Sequence, residues 1–406
     1  MTRTLFTGGR LFDGTGAALA DADVVVENGR IVAVGSGLDG DESVDVTGKA
    51  LLPGLIDTHV HVVFSGPDLI RELNRPFSYQ FFEAADNLRR TIEVGITTVR
   101  DAGGADLGVK EAVDKGLVVG PRMRISVQIL SQTGGHADNW MVCGADIGVR
   151  SHPGMPDPIV DGPVAARKKV RELIRAGADQ IKVCTSGGVL SPRDDPRHAH
   201  FRLDELEEMV AEAESAHTYV MAHAQATNGI KNAVRAGIRS IEHGIFLDDE
   251  AIEMMLDKGT WLVPTLVAPV GVLEAVEKRG ASLPVQMYEK ARDVVDIHRA
   301  AIERAVAAGV RIAMGTDSGV GLHGTNLREL ALMQEVGMKP EEVLVATTSS
   351  AAHLMRLQDE IGTVEPGKRA DLVVVDGDPF DFSDLRERIE QVWQDGRLVV
   401  DNRSTG

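Results

Sequence analysis

Through the middle of the chain, short apolar runs alternate with longer amphipathic stretches, the pattern of parallel strands separated by helices. Eight such runs begin near Leu55, Ile96, Met123, Gln180, Val220, Ser240, Trp261 and Ile312. Helical segments intervene, as in Arg202–Ala216, Asp249–Lys258 and Asp293–Ala308. Eight β-α units predict a closed (β/α)8 TIM barrel of the α/β class, with its active site at the C-terminal ends of the strands.

The two ends of the chain read differently. Asp23–Gly35 holds two short strands joined by Asn28-Gly29, a strong hairpin signal. Ala370–Asp376 and Gln391–Val400 have the same character. Pairing of the two ends predicts a small composite β-sandwich domain of residues 1–53 and 360–406, with the barrel over 54–359.

A length of 406 residues accommodates a barrel plus such an accessory unit. At 43% hydrophobic and 26% charged, the composition is ordinary for a globular protein with a large core. The formal net charge of −18 argues against a nucleic-acid partner, because phosphate binding needs a basic face. The sequence has no apolar run of the roughly 18 residues that a membrane span needs, and Thr2–Phe6 lacks a signal-like apolar stretch. Two cysteines, Cys143 and Cys184, imply no disulfide framework. The expectation is a cytoplasmic protein acting on a small molecule, without nucleic-acid or membrane partners, on a surface compatible with homo-oligomers.

The chemistry gathers at strand ends. In Pro53-Gly54-Leu55-Ile56-Asp57-Thr58-His59-Val60-His61, alternation places Asp57, His59 and His61 on one face. Two imidazoles so spaced can bind one metal ion. Lys182 lies within the apolar run of Gln180–Cys184, just before the Thr185-Ser186-Gly187-Gly188 loop. A buried lysine is costly unless paired or modified, and desolvation frees its amine for reaction. Addition of carbon dioxide would give a carbamate, a two-oxygen anion able to bridge two metals. His223, His243 and Asp317 end three further strands. Each alone reads as a structural polar residue. Six such groups at the ends of five strands point to metal, with Zn²⁺ the first expectation and Mn²⁺, Co²⁺ or Fe²⁺ able to substitute.

These residues, with Gly14-Thr15-Gly16 and the closing segment Gly362–Leu372, resemble the amidohydrolase superfamily over nearly the whole chain. The similar branch has two divalent metals and a carboxylated lysine. Its members are imidazolonepropionase-like dipeptidases, including Xaa-Pro and Xaa-Arg/Lys peptidases and ochratoxin-type amidases. The resemblance implies that His59, His61 and Asp317 hold the first metal, that His223 and His243 hold the second, and that carboxylated Lys182 bridges them. It further implies cleavage of an amide bond in a dipeptide or N-acyl amino acid by a hydroxide shared between the metals. Asp317 would pass the proton to the leaving amine.

Loop residues complete the expectation. His136, in Gly134-Gly135-His136-Ala137-Asp138, is a candidate to polarise the carbonyl or bind substrate, against a loop-stabilising role. Arg193, Arg197, His198, His200 and Arg202 form a basic cluster in an acidic chain; Arg193 and His198 are candidates for a substrate carboxylate, against a merely solvated loop. His323 is a further candidate at the rim. His152, His217, His298 and His353 read as structural or surface residues. Related one-metal deaminases carry a Glu three residues after the fifth-strand histidine, where this chain has Ala226. Imidazolone-ring hydrolysis stays open as an alternative, although it usually goes without the lysine ligand. A non-catalytic scaffold of the same fold would be expected to have lost ligands.

Overall fold

The structure is a computed structural model that describes residues 2–138, 140, 143–144, 152–191 and 193–403; positions 1 and 404–406 of the expected terminal domain lie outside the described residues. Seven predicted central strands form ladders: Leu55–Val60, Ile96–Asp101, Arg122–Ile125, Ile181–Cys184, Val220–Ala224, Ser240–His243 and Trp261–Val263. Neighbours pair in parallel throughout, and most strand residues are buried. The third strand resumes as Ile129–Leu130 after a break where Val127 takes φ 64°. Its first part pairs with Ile96–Asp101 and its second with Ile181–Cys184, so one segment links the two groups of strands.

The eighth predicted strand is different. Among the described residues, Ile312 and Ser318 make isolated parallel bridges, Ile312 to Leu262 and Ser318 to Val60 and Gly321. Side chains take over part of the ladder: the Asp57 carboxylate accepts from the Thr316 hydroxyl at 2.7 Å and the Thr316 N–H at 3.2 Å. Gly315 permits the close approach, since a Cβ there would lie 2.4 Å from Val263 and 2.9 Å from His59 Cβ.

Helices lie between the strands, giving a TIM-barrel-like α/β fold. Asp249–Lys258 forms as predicted, with the Asp248 side chain capping Ala251 N–H and Gly259 closing it at φ 63°. The predicted helix Arg202–Ala216 spans Leu203–Ser215. The one expected from Asp293 begins earlier, at Val285 directly after Pro284, and runs to Ala308.

The chain ends form two sheets. One has the order Arg30–Gly35, Asp23–Glu27, Arg3–Thr7, Glu42–Asp45. In its hairpin Asn28 and Gly29 both have positive φ, 53° and 76°, as a type I′ turn requires. In the other sheet, Lys49–Pro53 pairs antiparallel with Leu372–Asp376, so the two ends of the chain share a ladder. Phe6, Val24, Ile31, Leu51, Leu372 and Val374 from both sheets pack in one apolar cluster.

Candidate active site

A cavity of about 880 Å³ opens at the C-terminal ends of the central strands, and His59, His61, Lys182, His223, His243 and Asp317 all line it. His61 Nε2 and His59 Nε2 lie 3.2 and 3.5 Å from Asp317 Oδ1. Lys182 Nζ is 3.3 Å from His59 Nε2. The His223 and His243 rings meet edge to face at 4.7 Å.

Each imidazole has one nitrogen occupied on the protein side, which leaves the other for a ligand. His59 Nδ1 donates to Glu242 at 2.8 Å, and His61 Nδ1 donates to the Gly103 carbonyl at 2.7 Å. His243 Nδ1 donates to Thr265 Oγ1 at 2.7 Å, because that hydroxyl spends its own proton on the Pro264 carbonyl. His223 Nε2 donates to the Gly187 carbonyl at 3.1 Å. Outer partners that fix the tautomer in this way are the usual accompaniment of histidine ligands. Donor atoms of His59, His243 and Asp317 lie within 4.8 Å of one another, and two imidazoles plus a carboxylate suit a divalent ion. The donor set fits.

Electrostatics agree with that reading. Burial pushes the His243 imidazole down to about 3, and the His59 imidazole well below its ordinary range, so both are neutral donors. Burial alone would raise the Asp317 carboxyl, but its hydrogen bond with His61, whose imidazole that carboxylate raises in turn, brings it below the usual carboxylate range. Burial also lowers the Lys182 amine. The backbone is strained at this point: His243 and Asp317 have φ 73° and 57°, a left-handed conformation that L residues adopt at a cost of about 1–3 kcal/mol. Hydrogen bonds hold both in place, Asp317 N–H to the His59 carbonyl at 2.7 Å and His298 Nε2 to the His243 carbonyl at 2.9 Å.

The amidohydrolase family profile matches residues 50–400. The chain belongs to the amidohydrolase family. It is accordingly a hydrolase acting on carbon–nitrogen bonds. It is 32% identical to ochratoxinase of Aspergillus niger, over 97% of this chain and 86% of the relative. A crystal structure of a prolidase complexed with n-methylphosphonate-L-proline superposes with a TM-score of 0.90 at 36% identity, covering 99% of this chain and 100% of that one. Imidazolonepropionase of Cutibacterium acnes is 27% identical over 87% of this chain and 84% of its own. These relatives place the chain in the imidazolonepropionase-like and prolidase branch of the amidohydrolases.

The other residues expected in this amidohydrolase site divide. His136 and Arg193 line the cavity. Arg193 stacks on the Trp140 ring at 5.1 Å and has no ion-pair partner among the described residues. His198 is exposed and outside the cavity wall; its carbonyl accepts from Gly187 N–H, a bond that shapes the loop. His323 is not at the rim. It is buried behind His61, with Nε2 donating to the His61 carbonyl at 3.2 Å and Nδ1 3.3 Å from Thr91 Oγ1. Asp57 also departs from the expected face. The pairing register shifts between Asp57 and Val60, which breaks the alternation, and the carboxylate bonds Thr316 and Asn326 instead of lining the cavity. His298, read as structural or surface, both supports His243 and lines the wall.

Two residues were overlooked by the sequence reading. Arg100 and Glu242 form a fully buried ion pair at 2.9 Å beneath His59, and Arg100 Nε also donates to the Thr58 carbonyl at 2.6 Å. The available signal was a charged residue inside each of two buried strands, Ile96–Asp101 and Ser240–His243.

Proposed function

We propose that this amidohydrolase cleaves the amide bond of a dipeptide or N-acyl amino acid carrying a free carboxylate, in the manner of Xaa-Pro or Xaa-Arg/Lys dipeptidases. One observation carries the reading. Six ligand-type side chains line a single cavity, and the guanidinium of Arg193, without an ion-pair partner among the described residues, lines it too. The prolidase relative that holds n-methylphosphonate-L-proline supports a carboxylate-bearing substrate.

His59, His61 and Asp317 would hold one divalent ion, His223 and His243 a second, and Lys182, as its carbamate, would bridge them, with Zn²⁺ the favoured metal. When bound, such ions polarise a carbonyl and acidify water. Asp317, kept ionised, takes a proton at its carboxylate and returns it to the leaving amine. Arg193 pairs with the substrate carboxylate, its guanidinium already held over the Trp140 ring. Val189, Leu190, Val272 and Val320 give the cavity an apolar side that receives a substrate side chain and excludes water. The scaffold for this site is taken as a closed barrel over 54–359, supported by the Val60–Ser318 and Leu262–Ile312 bridges. Residues 1–53 and 360–406 make the accompanying β-sandwich, supported by the apolar cluster shared between the two terminal sheets.

The test is a library of dipeptides and N-acyl amino acids offered to zinc-loaded enzyme in bicarbonate. Cleavage of carboxylate-bearing amides is expected. Failure to cleave any of them overturns the assignment.

A further inference from the structure

We propose that Asp194, acting through Ser191 and anchored by Lys290, is the positioning residue that makes His136 present an unprotonated Nε2 to the substrate. His136 would then accept an N–H of the substrate and not donate to its carbonyl oxygen. The proposal rests on the hydrolase reading only in taking His136 to touch substrate.

The proton count comes first. Asp194 has a side chain only 3% exposed, and a carboxylate can only accept. Its oxygens take the Ser191 hydroxyl proton and, at 3.0 Å, the Gly188 N–H. With its single proton given to Asp194, Ser191 can only accept from the ring. His136 Nδ1 lies 2.8 Å from Ser191 Oγ and 3.2 Å from Asp194 Oδ2, both acceptors here, so a ring with one proton carries it on Nδ1. Nε2 keeps its lone pair and has no partner among the described residues.

The ring plane is set as firmly. His136 stacks on His223 at 4.3 Å with planes 16° apart. It also packs against Gly188, where a Cβ would lie 2.2 Å from His136 Cε1.

Lys290 makes the arrangement rigid. It projects from the helix Val285–Ala308, and its ammonium bonds the carbonyls of Gly188, Ser191 and Asp194 at 3.0, 2.7 and 2.5 Å. Its side chain is 18% exposed. These carbonyls belong to the residues that hold His136, so the helix carries the loop and the loop carries the ring.

The experiment is a double-mutant cycle on a substrate found in the library screen, with zinc content and thermal midpoint measured for every variant. Asp194→Asn and Ser191→Ala are expected to lower kcat/KM by about 10–100-fold, the usual scale for a residue that orients an active group. Ser191→Thr, which keeps the hydroxyl, should recover activity, and Lys290→Arg should retain more than Lys290→Met. Combined with His136→Asn, the Asp194 change should cost nothing further. Additive losses in that background mean that Asp194 merely supports the loop, and overturn the proposal. Should the wild type cleave nothing, the proposed substrate class fails and the tautomer is still measurable. Nitrogen spectra of histidine-labelled protein, assigned by His136→Asn, should show a protonated Nδ1 that Asp194→Asn perturbs. A protonated Nε2 overturns the proposal.

Discussion

Glu242 accepts a hydrogen bond from His59 Nδ1 at 2.8 Å, with both side chains out of solvent, and the same carboxylate neutralises the buried Arg100. One residue therefore orients an imidazole proposed to bind metal and balances a charge in the core. Glu242→Gln should weaken zinc binding by about 10–100-fold, as loss of an outer carboxylate partner does. It should also destabilise the fold by about 3–5 kcal/mol, because Arg100 is left uncompensated. Chelator competition and denaturant unfolding read the two effects separately. Zinc affinity equal to wild type would refute the orienting role.

Lys182 gives a second prediction. Its amine is buried among the ligands and lowered by that burial, which favours the neutral form that reacts with carbon dioxide. Reconstitution of stripped enzyme with zinc should depend on bicarbonate, and Lys182→Ala should bind fewer ions per chain. Activity should fall by about 100-fold or more, the scale of losing an electrostatic stabiliser at a reacting centre. Bicarbonate-independent reconstitution of the wild type, at full metal content, would count against a carbamate.

That six side chains would meet at one site was legible because metal chemistry uses few residue types and the strand periodicity says where they point. What lay beyond it depended on breaks in periodicity. Alternation put Asp57 with His59 and His61, but the pairing shift before Val60 turns its carboxylate toward Thr316 and Asn326. His323 read as a rim residue because it lies just beyond Asp317, yet the chain there tucks the ring beneath His61. The clamp of Lys290 on Asp194 joins positions nearly a hundred residues apart, and neither shows a local pattern. The terminal hairpin was easier. Asn28-Gly29 specifies the turn between Asp23–Glu27 and Arg30–Gly35 directly, whereas Lys49–Pro53, the partner of Leu372–Asp376 in the other sheet, carries no turn signal of its own and was not read as a strand.

His323 sets a pH dependence. Burial pushes its imidazole from 6.5 to about 4, so the folded protein keeps it neutral where the unfolded chain takes up a proton. The unfolded state then binds more protons, and stability rises with pH across that window. The full contribution is present above 6.5 and is lost as pH falls through about 4, amounting to a few kcal/mol at most. His323→Asn, which can still donate to the His61 carbonyl, should flatten the fall of the denaturant midpoint between these pH values. An unchanged slope would show that the ring does not titrate in this way.

Arg193 provides the sharpest test of what the cavity receives. Its guanidinium is exposed over Trp140 without an ion-pair partner among the described residues, so a carboxylate entering the cavity meets a donor that gives up no existing pair. A charge-assisted hydrogen bond of this kind contributes about 1.5–3 kcal/mol, or roughly 10–100-fold in affinity. Arg193→Met should therefore raise KM for a carboxylate-bearing substrate by that factor while leaving kcat close to wild type, because the contact is remote from the reacting bond. The same substrate as its methyl ester should lose the discrimination, giving similar KM values for both proteins. Trp140→Ala should have a smaller effect in the same direction, since it frees the guanidinium without removing it. An equal penalty on acid and ester would show that Arg193 shapes the loop and does not read the carboxylate.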